Sequence, residues 1–173
     1  MEDESHIKNL HDKEAIEKIK ELAGKAETCL FCTKIETGRA FSTRPMSAQQ
    51  IDDKGNVWFL SDKESTKNME LKDDDHVQLL FSESKHSGFL SLYGAASILY
   101  DKQKIEELWE PIIKTWFKGG VDDPNISVIR VEPEEGYYWD TKHGRIVALA
   151  KMLTSMVSGK TMDDSIEGTI KIY

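Results

Sequence analysis

Residues 41–67 constrain the fold of this chain more than any other stretch. Phe41-Ser42-Thr43-Arg44-Pro45-Met46 is followed by the cluster Asp52-Asp53-Lys54-Gly55-Asn56 and then by Val57-Trp58-Phe59-Leu60-Ser61. Two segments of this kind flanking Asp, Gly and Asn residues read as strands joined by a tight turn. Residues 40–50 and 56–61 are therefore expected to form a central hairpin. Ser65-Thr66-Lys67 then opens a short helix, with serine in a favoured capping position. The order strand, turn, strand, helix draws one guanidinium, one ammonium, two hydroxyls and a set of unpaired helix amides towards one place. Arginine offers a planar fork that matches phosphate oxygens, and the first amides of a helix lie at the positive end of its dipole. Arg44 and Lys67 are accordingly candidate phosphate ligands. The plainer reading makes Arg44 a solvated strand residue and Ser61-x-x-Glu64 or Ser65 a helix cap.

Size and charge narrow the partners. A chain of 173 residues fits one domain with a proper core. Its 23 basic and 31 acidic residues leave a formal charge of −8, which argues against nucleic acid and anionic membrane surfaces. No apolar run approaches the roughly 20 residues that cross a bilayer, and Met1-Glu2-Asp3-Glu4 is a poor secretory start. Two cysteines cannot build a disulfide framework. A cytoplasmic, reducing environment is expected. Cys29 and Cys32 fall in a predicted strand, where residues three apart point to opposite faces, so they read as small core residues rather than a redox pair. No metal-ligand set is completed around them.

Along the rest of the chain, a flexible lead (residues 1–11) precedes a helix from Asp12 with Ile16, Ile19, Leu22 and Ala23 on one stripe. Strands are expected at 28–35, 76–81, 89–96, 127–131 and from 136, with Gly94 marking a bulge or a close backbone approach. In the short helix after Ser65, Met69 and Leu71 are expected to face inward, and residues 72–75 to form its solvated exit. His76 and His86 read as solvated or capping residues. Helices are predicted over 101–108 and 145–157, and a final strand over 166–172. Trp109, Trp116 and Phe117 either fill a core or wall a flat pocket. Short strands with intervening helices suggest a closed antiparallel barrel with peripheral helices.

Thr43-Arg44-Pro45-Met46, the segment Trp58-Phe59-Leu60-Ser61 and Ser65-Thr66-Lys67 together resemble the FMN-binding signature of the pyridoxamine 5'-phosphate oxidase-like split barrels. The general stress protein 26 branch is the nearer likeness, supported by Trp109-Glu110-Pro111, Trp116-Phe117 and Asp122-Asp123-Pro124. This resemblance implies a mainly β, antiparallel split barrel spanning residues 1–173 as one domain. It implies FMN, with FAD as the alternative, its phosphate near Arg44, Ser65, Thr66 and Lys67. Leu60 and Ser61 would line the ring, with Pro45, Met46 and Gln49 following along the site and Trp116 at the pocket. It further implies a homodimer with flavin at the subunit seam, so that Phe89, Ser91, Tyr93 and Trp139 contact the cofactor held mainly by the partner. The implied activity is an FMN-dependent oxidoreductase on a small molecule, with NAD(P)H as a candidate donor; the alternative is a non-catalytic stress protein that buffers or senses flavin. No catalytic side chain is assigned, because the isoalloxazine itself carries the electrons. After Trp139, only His143 and Arg145 preserve a fragment of the Arg-x-His-x-Arg segment that grips substrate in the true oxidases, which argues against vitamin B6 oxidation.

Overall fold

The computed structural model describes residues 6–83, 88–141 and 165–173. In chain order the elements are β1 (Leu10–His11), α1 (Asp12–Ala26), β2 (Thr28–Thr33), β3 (Ser42–Ser47), β4 (Gln50–Ile51), β5 (Val57–Asp62) and α2 (Thr66–Asp73). They continue with β6 (His76–Glu83), β7 (Gly88–Leu99), α3 (Lys102–Leu108), two 3-10 turns (Pro111–Thr115 and Gly120–Asp122), β8 (Ile126–Thr141) and β9 (Ser165–Lys171). The predicted helix over 145–157, and His86, lie outside the described residues. No helix among those described is long and apolar enough to cross a membrane.

The strands form one open, mixed sheet in the order β1-β9-β8-β7-β6-β2-β3, with β5 joined to β8 and to β4. All pairings are antiparallel except β1 with β9, so the expectation of a closed antiparallel barrel gives way to an open sheet. β8 explains much of this shape. One of its edges carries β7 along its length; the other carries β5 opposite residues 126–131 and β9 opposite residues 135–141. Pro133, which has no N–H to donate, falls between the two partners. The two strands predicted at 127–131 and from 136 are therefore one.

A second correction concerns the central hairpin. The turn forms: Asp52 Oδ1 accepts from the amides of Lys54 (2.9 Å) and Asn56 (3.0 Å), and Gly55 takes a left-handed φ of 82°. But the strands this turn joins are β4 and β5, whereas β3 pairs with β2, Arg44 facing Phe31. Ala48 and Gln49 carry the chain across, their amides donating to Glu27 O and Trp58 O at 2.8 Å each. β3 is left as an edge strand, the place where Pro45 is tolerated.

The lead is also more ordered than expected over residues 6–11, since Ile7 bridges to Glu167 and β1 pairs with β9. Strand alternation builds two cores on opposite faces of β5 and β8. Val57, Phe59, Ile129 and Val131 join α1 (Ala15, Ile19, Leu22 and Ala23) and the inner residues of β2, β6 and β7 in the main core, where Phe31 and Phe59 meet edge to face at 5.3 Å. The alternate residues Ile126 and Val128, with Trp58 and Leu60 against them, pack under Ile105, Leu108, Ile113 and Phe117. In α2 the inward face carries Lys67, Asn68, Glu70 and Leu71, while Met69, predicted to face inward, is 52% exposed. Residues 67, 70 and 71 share a stripe at helical spacing, and 69 lies off it.

Candidate functional site

Lys67 is the unusual residue. Its side chain comes from the first turn of α2, it is 7% exposed, and its Nζ donates to Ser61 Oγ at 2.5 Å and Ser65 Oγ at 3.4 Å. Both partners are neutral, and among the described residues no carboxylate forms an ion pair with it. Burial, and next the nearby Arg44 guanidinium, pull the ammonium down to about 8, against opposing support from Asp62 and Glu70. Ser65 caps the helix, accepting from the Asn68 amide at 3.2 Å. Asn68 Oδ1 accepts from Ser61 Oγ at 2.8 Å, its Nδ2 donates to Ser127 Oγ at 2.8 Å, and Ser127 Oγ donates to Ser61 O at 3.0 Å. These bonds fix the end of β5 against β8 and the start of α2, so the hydroxyls around Lys67 are held in place before any ligand arrives.

Arg44 does not face this corner freely. Its guanidinium donates to Glu70 Oε2 and to Thr33 Oγ1, each at 2.8 Å. Burial alone would raise the Glu70 carboxyl, but hydrogen bonds from Thr33, Arg44 and Ser42 outweigh it and hold the group below the usual carboxylate range. The sequence reading missed Glu70 and Asn68. The spacing Lys67, Glu70, Leu71 on one helical stripe is the signal that could have shown Glu70 buried.

A groove of about 880 Å3 opens beside Lys67. β3 and its link to β4 supply Pro45, Met46 and Gln49; the end of β5 supplies Leu60 and Ser61; Ser65 and Lys67 stand at its polar end. Trp116 and Phe117 both line it, with Ile112 and Ile113, but Phe117 belongs to the smaller core while Trp116 is 69% exposed. Arg44 and Thr66 do not line the groove. Phe89, Ser91 and Trp139 do not line it either: they lie on the outward face of β7 and β8, Phe89 directly opposite Trp139. At the exit of α2, Asp74, Asp75 and His76 bring ligand-type atoms within 4.8 Å of one another. The His76 ring is exposed, hydrogen-bonded to Asp74 at 3.0 Å and held above its usual pKa chiefly by that bond, in keeping with a solvated exit. Cys29 and Cys32 are both buried and free, and burial pushes the Cys29 thiol up to about 12, far from a reactive thiolate.

What the described residues bring together is an open, mainly β sheet and a buried lysine that lines a groove and forms no ion pair among those residues. A sequence profile of the family described as pyridoxamine 5'-phosphate oxidase like matches residues 14–163. The chain belongs to that family. Protein bli-3 of Neurospora crassa is 29% identical over 110 residues, 59% of this chain and 53% of bli-3. General stress protein 26 of Bacillus subtilis is 27% identical over 82 residues, 46% of this chain and 58% of that protein. The chain thus spans about half the length of the curated relatives it matches. Among solved structures, the general stress FMN/FAD binding protein of Xanthomonas citri superposes with a TM-score of 0.62 at 28% identity, covering 74% of this chain and 89% of that one.

Proposed function

We propose that this chain binds flavin mononucleotide in the groove, as a split-barrel homodimer, and uses it as an oxidoreductase on a small molecule. The observation that carries the reading is Lys67: a nearly buried ammonium, hydrogen-bonded among the described residues only to hydroxyls, whose charged form is disfavoured until an anion joins it. The donors present fit a phosphate. Lys67 Nζ, the Ser61 and Ser65 hydroxyls and the first amides of α2 would hold it, while Leu60, Met46 and Trp116 offer apolar surface to a flat ring. A bound flavin supplies hydride and electron transfer by itself. What this chain's residues contribute is binding, orientation and the exclusion of water from one side of the ring. The relative from Xanthomonas citri, described as an FMN/FAD binding protein, supports the same reading. So does the exposed apolar face of the sheet, which would bring Phe89, Ser91 and Trp139 to a partner's cofactor.

The test is direct. Purified protein titrated with FMN should take up one flavin per chain, with an altered visible spectrum, and the bound flavin should be reduced on mixing with NADH or NADPH. A protein that cannot be loaded with FMN sinks the proposal, while one that loads but is reduced by no nicotinamide donor leaves only the flavin-holding half of it.

A further inference from the structure

Glu70 is almost fully buried and accepts three hydrogen bonds, from Thr33 Oγ1 at 2.5 Å, Ser42 Oγ at 3.0 Å and Arg44 at 2.8 Å. Arg44 spends its other terminal nitrogen on Thr33 Oγ1. Thr33 faces Ser42 across β2 and β3, so these four side chains tie both strands to α2. The same two charges act on Lys67 in opposite senses, Arg44 disfavouring its ammonium form and Glu70 favouring it. An arginine that left this network to grip a ligand phosphate would strand a buried carboxylate with only hydroxyls for company, which is the costly way to break a buried pair.

From this we infer that Arg44 and Glu70 form a charge-neutral strut that positions α2, and that Lys67 rather than Arg44 makes the site prefer phosphorylated over unphosphorylated flavin. Arg44 is then a positioning residue. The inference rests on the flavin reading above and reverses the role its motif suggests. It predicts that what matters at Arg44 and Glu70 is the balance of charge and not a contact with the ligand.

A double-mutant cycle read as the ratio of FMN to riboflavin affinity, by flavin fluorescence at fixed salt and neutral pH, tests it. Wild type should bind FMN more tightly than riboflavin, and Lys67→Met should erase the difference. Glu70→Gln leaves Arg44 unbalanced and should raise the ratio about tenfold, while Arg44→Gln leaves Glu70 unbalanced and should lower it by about the same factor. The double variant Arg44→Gln/Glu70→Gln should return to within about threefold of wild type. If the double variant stays as low as Arg44→Gln alone, the guanidinium grips the phosphate and the inference is wrong. Riboflavin affinity reports whether each variant keeps its ring site. Should the glutamine variants lose it, Arg44→Lys decides: it keeps a cation opposite Glu70 but not the planar fork. An unchanged ratio supports the strut, and a fall to the level of Lys67→Met overturns it. Wild-type protein that binds no FMN overturns the flavin reading and this inference together, whereas FMN binding with a failed cycle overturns the strut alone.

Discussion

At the scale of single residues, the site turns on how Lys67 is charged. Its pKa of about 8 lies below the ordinary lysine value of 10.5, chiefly through burial and then through Arg44. Between those two values the unfolded chain binds more protons than the folded one, so stability rises with pH across that window; below about 8 the penalty is constant. Lys67→Met keeps the bulk of the side chain without its charge. The ligand-free variant should therefore lose the gain in urea resistance that wild type shows between neutral pH and about pH 10. FMN affinity in the wild type should hold level up to about pH 8 and decline above it, as the lysine gives up the proton its phosphate partner needs, while riboflavin affinity should not follow that decline. Parallel pH profiles for the two flavins would remove Lys67 from the phosphate site. The sequence made this residue legible because Ser61, Ser65 and Lys67 are close in the chain and a cap signal fixes their helix. The pairing of Arg44 was not legible, for the converse reason. Its partner Glu70 is 26 residues away, and no local pattern says that a strand arginine and a helix glutamate will meet in the interior.

Among the elements, local chemistry was readable and pairing was not. Asp52 and Gly55 specify a turn, and they make one, but turn residues cannot say how far each flanking strand stays with its neighbour. β3 stays with β2 up to the link at Ala48 and Gln49, its alternate residues Ser42, Arg44 and Met46 facing Glu70 and the main core. The bulge was legible for a steric reason. Gly94 faces Pro133 at the register shift of β7, and a Cβ placed there would be driven into the Glu132 carbonyl. That carbonyl is backbone, held in the long ladder of β7 with β8, and cannot swing aside as a flexible side chain could. Gly94→Ala should lower stability by about 2–4 kcal/mol in urea denaturation, since strand and bulge must both shift to admit one methyl. Gly24→Ala, whose added Cβ would meet nothing within 4 Å and which lies inside α1, should be neutral or slightly stabilising. Equal stability of the two alanine variants would mean that the close approach at the bulge is not what holds β7 and β8 in register.

For the whole molecule, the sheet has one face too many. The inward residues of β6 and β7 (Val77, Leu79, Phe81, Leu90 and Leu92) meet α1 and the main core, while the outward face mixes the polar His76, Gln78, Ser82 and Ser91 with the exposed Leu80 and Phe89. Pro45, Leu30, Leu80, Ser91 and Tyr137 stand side by side across β3, β2, β6, β7 and β8, and Phe89 and Trp139 face each other one row along. Leu30, Leu80, Phe89 and Trp139 are all exposed. Ser91 interrupts the first row, yet four exposed large apolar side chains on neighbouring strands are more than scattered surface hydrophobics, and we propose that another molecule covers them. A second copy related by a two-fold axis covers such a patch with itself. Leu80 lies on the middle strand of the row, with its backbone already paired on both sides, so Leu80→Asp places a charge at the centre of that contact without touching the core behind it. The variant should keep the far-ultraviolet circular dichroism of the wild type and sediment as a monomer at roughly ten micromolar, where the wild type is expected to sediment as a dimer. If the proposed dimer brings Phe89 and Trp139 to a neighbour's groove, FMN should then bind more weakly as well, and this loss should track the loss of dimer as the protein is diluted. A wild type that is monomeric at that concentration, or a Leu80→Asp dimer indistinguishable from it, would rule out a second copy as what covers this face.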